Sequence, residues 1–167
     1  MPTTEAAALA SAIAAETIRL GIGIAVAESL TGGDVVSAFV SVPGASTTLR
    51  GGVVAYDTRI KASVLGVDAD LLEREGAVHP EVALQMAARV RRVLAVDGEP
   101  AGLGIATTGV AGPQSQDGRP VGLVFVAVSD ARGEAVREHR FSGGRVEIRA
   151  AATEAALELA ADRLGVR

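Results

Sequence analysis

The chain has 167 residues, 49% of them apolar but only 2% aromatic, with 16 cationic against 20 acidic side chains and a net charge of −4. That length suits one domain, taken here as residues 1–167, with an aliphatic core of its own. A mildly acidic chain without a basic run or aromatic platforms argues against nucleic-acid binding, and the absence of cysteine removes disulfides, thiolate nucleophiles and thiolate metal sites.

Thr3 and Thr4 can cap a first helix running to Leu20, with Leu9, Ile13 and Ile18 on its apolar side and Gly21 at its end. Glu5, Glu16 and Arg19 interrupt this segment, so it reads as neither signal peptide nor membrane span, and a cytoplasmic location is expected. Residues 22–27 read as a buried strand, followed at once by Glu28-Ser29-Leu30-Thr31-Gly32-Gly33 and by a helix over 34–40. Strand, glycine-rich turn and helix can present backbone N–H groups to an anion. A tight turn with a capping threonine is the plainer reading.

Pro43 to Ser46 is a turn, with Ser46 starting a short helical segment. A second strand is predicted over 51–56 and a helix over 58–65, which puts Lys61 one turn beyond the strand end. A short helix over 71–75 precedes a long amphipathic one from Pro80 to Val96, with proline at the first position, where its missing N–H costs nothing. Arg89, Arg91 and Arg92 read as its solvated face. A third strand over 101–108 leads into a glycine- and proline-rich loop over 109–120, of a length that is often functional. Strands over 121–129 and 135–142 form a hairpin, and a last helix covers 146–164. The order predicts an α/β fold: a mixed, mostly parallel sheet of about five strands with helices on both faces.

Lys61 is the only lysine beside fifteen arginines, and Tyr56 is the only tyrosine. Arginine can replace lysine wherever charge alone is needed, but it cannot serve as a neutral amine. Lys61 is therefore either a general base or nucleophile, or a chance survivor of a drift towards arginine. Four polar segments lie at strand ends or helix starts: 28–33, 43–46, 56–61 and 108–113. Three of them follow a strand directly and could share one crevice. Ser142-Gly143-Gly144-Arg145 adds a glycine-rich helix start with an arginine suited to an anion.

With no cysteine, the candidate side-chain nucleophiles beside Lys61 are hydroxyls. Ser46 follows a Pro-Gly turn at a helix start, where backbone N–H groups could stabilise an oxyanion; it could equally be a plain N-cap. His79 precedes Pro80 as a helix cap and His139 falls on a late strand among charged residues, so a Ser-His-Asp triad is weak and a Ser-Lys pair is preferred. No His, Asp or Glu cluster has metal-ligand spacing.

At these segments the chain resembles the CinA C-terminal domain family. The likeness rests on AESLTGG (27–33), VPGAS (42–46), GGVVAYDTRIKASVLGV (51–67), GAVHPEVALQMA (76–87), TGVAGP (108–113), PVGLVFVAV (120–128) and FSGGR (141–145). The resemblance implies a three-layer α/β/α fold, standing alone without a further domain. It also implies hydrolysis of the carboxamide of nicotinamide mononucleotide to nicotinic acid mononucleotide and ammonia, as a step of pyridine nucleotide salvage. The family serine nucleophile falls on Ser46, its lysine base on Lys61 and its tyrosine on Tyr56. The substrate is expected against Ser29, Thr31, Gly32, Gly33, Thr108, Gly109, Gly112 and Arg145, with Arg145 at the 5′-phosphate and Glu28 ordering the site. No cofactor and no metal are implied.

Leu30 stands where the family often has Cys, Ala45 where it has a second Ser, and Thr108 where many members have Ser. The alanine-rich first and last helices suit a homo-oligomer. A nucleotide-binding or sensing module linked to competence or DNA damage is the alternative, as is a structural assembly domain. Neither would require Ser46, Tyr56 and Lys61 together.

Overall fold

A computed structural model describes residues 2–166. The first helix, α1 (Thr4–Leu20), starts where Thr3 accepts the Ala6 N–H on its hydroxyl and ends at Gly21 in the left-handed region. Then follow β1 (Ile24–Glu28), α2 (Asp34–Val40), a 3-10 turn (Ala45–Thr47), β2 (Leu49–Val54), α3 (Thr58–Ser63), α4 (Ala69–Glu75), α5 (Pro80–Val93), β3 (Leu103–Gly109), β4 (Leu123–Asp130), β5 (Gly133–Arg140) and α6 (Arg145–Leu164).

The five strands form one sheet in the order β2-β1-β3-β4-β5. β1 pairs in parallel with both β2 and β3, while β4 pairs antiparallel with β3 and with β5. β4 alone thus runs against the others, because a hairpin must reverse the chain. α1, α2 and α6 cover one face and α3, α4 and α5 the other, so the expected three-layer α/β/α arrangement with a mixed sheet is present.

Alternation along β1 and β3 sorts side chains by size, and β4 alternates between the same two faces. Ile24, Val26, Leu103, Ile105, Val124, Val126 and Val128 face α1, α2 and α6. Ala25, Ala27, Ala106 and Ala127 face α5. The small residues let α5 lie very close to the sheet. Gly104 marks the tightest point: a Cβ there would stand 2.0 Å from the Ala87 carbonyl oxygen.

The element boundaries depart from the sequence expectations in two instructive places. α5 stops at Val93 rather than Val96, because Asp97 and Gly98 take left-handed conformations and Val96 and Glu99 exchange backbone hydrogen bonds around them. β2 starts and stops two residues early, because its pairing with β1 runs from Leu49 opposite Ile24 to Val54 opposite Glu28. Arg91 also corrects its expected solvated role. It donates to the carbonyl oxygens of Ala101 and Asp130 and to Ser129 Oγ, tying α5 to the sheet, while Arg89 and Arg92 are exposed as expected.

The chain steps from β1 to β2 on one side and then crosses to β3 on the other. Such a switch point opens a crevice beyond the carboxyl ends of β1 and β3. Gly104→Ala is expected to destabilise the fold by about 1–3 kcal/mol, the usual cost of overpacking a well-packed core. Urea denaturation should show a lower midpoint with an unchanged slope.

Candidate active site

Glu28 closes the fully buried strand β1, and its own side chain is fully buried. Its carboxylate accepts the N–H groups of Gly33 at 2.9 Å, Val35 at 3.2 Å and Val36 at 2.9 Å. The first N–H groups of a helix have no partner within it, so α2 here receives its capping anion from the preceding strand. This corrects the expected phosphate cradle. The N–H groups of Gly33, Val35 and Val36 face Glu28, that of Asp34 goes to Thr31 O, and the buried Thr31 shares a hydrogen bond between its hydroxyl and Thr107 Oγ1 at 2.8 Å. Thr31, Gly32 and Gly33 therefore shape the turn rather than the pocket wall.

Ser29, the next residue, does stand on that wall. Its N–H donates to the Thr107 carbonyl oxygen, and its side chain meets Lys61. α3 carries Lys61, and Asp57 starts that helix by accepting the Arg59 N–H at 2.8 Å. The Lys61 side chain is wholly buried, with Nζ donating to Ser29 Oγ at 3.0 Å and to the Ala55 carbonyl oxygen at 2.6 Å. Burial pushes its ammonium down to about 8, with the negative charge of Asp57 pulling the other way. An amine near 8 carries a useful neutral fraction close to neutral pH.

The expected pairing of Lys61 with Ser46 is not made. Ser46 is exposed in the 3-10 turn before β2 and lines a separate depression with Thr17, Ile18, Thr48 and Arg50. Lys61 lies beyond the opposite end of β2, and six strand residues separate the ends by about 20 Å. The serine bonded to Lys61 is Ser29. The signal was available: of the four polar segments, 43–46 is the one that does not follow a strand.

The pocket holds about 400 Å³ and opens beside Ser29, Tyr56, Asp57, Gln114, Gln116 and Arg145. Thr108, Gly109 and Gly112 line it, with the buried Thr108 hydroxyl donating to the Ala77 carbonyl oxygen at 2.7 Å. Arg145, the first residue of α6, donates to Gly112 O and to Tyr56 Oη, both at 2.7 Å. Tyr56 is 60% exposed and stands on the rim, bonded to Arg145 rather than to Lys61. The Asp57 carboxyl, held down to about 2 by the Arg59 guanidinium, stays ionised beside it.

Neither histidine lines the pocket: His79 caps α5 through Nδ1, and His139 stacks on Phe141 with ring centroids 5.1 Å apart. Among the described residues no three His, Cys, Asp or Glu side chains converge as a metal site. Arg149, which sequence reasoning missed, reaches from α6 to the turn after Ser29. It donates to Leu30 O at 3.0 Å, Thr31 O at 2.8 Å and Asp34 Oδ2 at 2.7 Å. No local pattern announces a residue 119 positions away from its partner.

Comparison with known proteins agrees with this architecture. The CinA C-terminal domain profile matches residues 6–164. A protein of Desulforamulus reducens named for competence-damage induction is 48% identical over 143 residues, covering 86% of this chain and 34% of that protein. A CinA-like protein of Frankia casuarinae is 48% identical over 136 residues, covering 81% of this chain and 30% of that protein. The chain thus spans about a third of the length of these relatives. The crystal structure of the competence/damage inducible protein CihA from Agrobacterium tumefaciens superposes with a TM-score of 0.90 at 33% identity, covering 99% of this chain and 98% of that one.

Glu28→Gln is expected to cost about 1–3 kcal/mol, because an amide offers a weaker acceptor and points hydrogens at the α2 donors. A lowered thermal midpoint, with faster hydrogen exchange at Gly33, Val35 and Val36, would register it.

Proposed function

The chain belongs to the CinA C-terminal domain family, and on that footing we propose that it hydrolyses the carboxamide of nicotinamide mononucleotide, releasing ammonia and nicotinic acid mononucleotide. The observation that carries this reading is the buried amine of Lys61, 3.0 Å from Ser29 Oγ on the wall of a pocket of about 400 Å³. A lysine without a contacting carboxylate is poised to lose its proton, and a serine beside it gains a base. The pocket volume lies within the usual range for small-molecule sites.

In the proposed reaction, neutral Lys61 keeps one hydrogen on the Ala55 carbonyl and takes the Ser29 proton as Oγ attacks the carboxamide carbon. The tetrahedral intermediate then collapses, and the same proton leaves with ammonia. A water molecule, deprotonated by Lys61, cleaves the acyl-enzyme and returns the proton to Ser29. Tyr56 offers its ring face to the cationic pyridinium, and the ionised Asp57 lies nearby to balance that charge. Arg145, free to donate further N–H groups from its fork, suits the 5′-phosphate.

Ser29→Ala and Lys61→Arg should each lower ammonia release from nicotinamide mononucleotide by about 10²–10⁴-fold, the range lost with an acid-base group, while Ser46→Ala should match the wild type. Chromatography of the two nucleotides measures all four proteins. Equal loss in Ser46→Ala would reject the assignment, and saturable binding without product would favour the sensing module.

The pH dependence has a definite sign. Lys61 acts deprotonated, so kcat/KM should rise as pH passes upward through about 8. Because the Asp57 charge raises the Lys61 value, Asp57→Asn should move that limb to lower pH.

A further inference from the structure

Among the described residues a single buried side-chain atom lacks a hydrogen-bond partner, Nε2 of His139. Buried polar groups are almost always paired, so an unpaired one needs a physical reason. His139 lies near the end of β5, opposite Val124 of β4. Residues two apart along a strand share a face, which groups Ala135, Arg137, His139 and, just beyond the strand, Phe141. Ala135 and Phe141 pack against the cluster that holds Ile148, Ala152 and Leu159 of α6. Arg137 donates to Asp162 of α6 at 2.8 Å, and the His139 and Phe141 rings stack 10° from parallel.

A neutral imidazole suits this setting and an imidazolium does not. The neutral ring can leave Nε2 as a bare acceptor, whereas the charged ring must carry a proton there with nothing to receive it. Burial holds the imidazolium below its ordinary value; Glu158 on α6 opposes that shift and Arg137 on β5 adds to it. The other charged groups of these stretches are engaged: Asp162 with Arg137, Glu154 with the Thr3 hydroxyl, and Glu138 with Arg140 at 2.9 Å. Val124 brings no charge from β4. The Phe141 face attracts a cation but stacks on the neutral ring as well, so it favours neither form strongly.

This stack stands at the root of the segment that reaches the pocket. Phe141 donates its N–H to Gly122 O at 2.9 Å, and Gly143, at φ 112°, and Gly144 then lead into α6. The first three residues of that helix are exposed, and Arg145 among them spans Gly112 O and Tyr56 Oη. We propose that His139 is an acid-sensitive latch: its neutral ring keeps the end of β5 and Phe141 closed on α6, and protonation loosens this contact together with the segment 141–145 that delivers Arg145 to the pocket. The inference depends neither on Ser29 as nucleophile nor on the substrate.

The folded ring binds its proton more weakly than the unfolded one, so this stability is complete above about pH 6.5 and is lost as pH falls below it. Lys61, near 8, and Asp57, near 2, titrate outside the window from pH 7 to pH 5. Urea denaturation across that window should show the unfolding constant of the wild type rising by as much as about tenfold per pH unit. His139→Phe keeps the stack without the titration and should lose most of that rise. Hydrogen exchange of the wild type, corrected for intrinsic rates, should show protection falling about tenfold at residues 140–148 from pH 7 to pH 5.5, and falling less in β1 and β3.

An equal acid loss in His139→Phe overturns the proposal. So does a loss of protection no greater at 140–148 than in β1 and β3, since that reports a burden on the whole fold rather than a latch. If His139→Phe does not fold, imidazole resonances of the wild type decide, with His79→Asn assigning the two histidines. A His139 midpoint at or above 6.5 overturns the proposal, and one below it with the local loss of protection supports it. None of these readouts involves ammonia release, so a protein inactive on nicotinamide mononucleotide leaves the latch standing, and a failed latch leaves the proposed reaction untouched.

Discussion

The site hangs on a carboxylate at the end of a buried strand. An unpaired Glu28 there would be costly, and an uncapped α2 beside it would leave orphan donors; each resolves the other. The contact joins sheet to helix across the five residues 29–33 and so fixes the direction in which Ser29 leaves the strand. A phosphate could not be bound at the same helix start without displacing that carboxylate. The pocket accordingly lies to the side, between the ends of β1 and β3, where Thr108, Gly109 and Arg145 supply its polar wall.

Cationic side chains divide their tasks by chemistry. Lys61 is buried, contacts only neutral oxygens and sits where its proton is loosely held. The arginines serve as braces: Arg91 fastens α5 to the sheet, Arg145 spans Gly112 and Tyr56, and Arg149 grips the turn. A guanidinium keeps its charge in such settings, so it can hold geometry but cannot cycle a proton. A composition shifted almost wholly to arginine thus keeps its lysine at a buried position where the proton is loosely held.

The elements were legible because their signals are local. Thr3, Gly21 and Pro80 mark helix ends by their own conformational preferences, and the buried strands read as apolar runs. What failed was long-range. VPGAS looks like a nucleophile turn on its own, but it precedes a parallel strand and so lies at the amino edge, away from the crevice. Glu28 reads in sequence as one more polar residue of a glycine-rich turn; only the fold shows it facing back into α2. The Arg91 and Arg149 contacts join segments whose proximity depends on how α5 and α6 pack, which periodicity does not encode. Lys61 and Tyr56 stood out by rarity, yet rarity could not say that one lies sealed beneath the pocket and the other on its lip.

That lip has an optical consequence. The chain contains no tryptophan and one tyrosine, so its ultraviolet emission arises from a single phenol hydrogen-bonded to Arg145 at the pocket mouth. A stacked pyridinium is an efficient electron acceptor, and one lodged over Tyr56 would quench that emission. The protein carries its own reporter of occupancy, silent to events elsewhere in the fold and needing no attached dye.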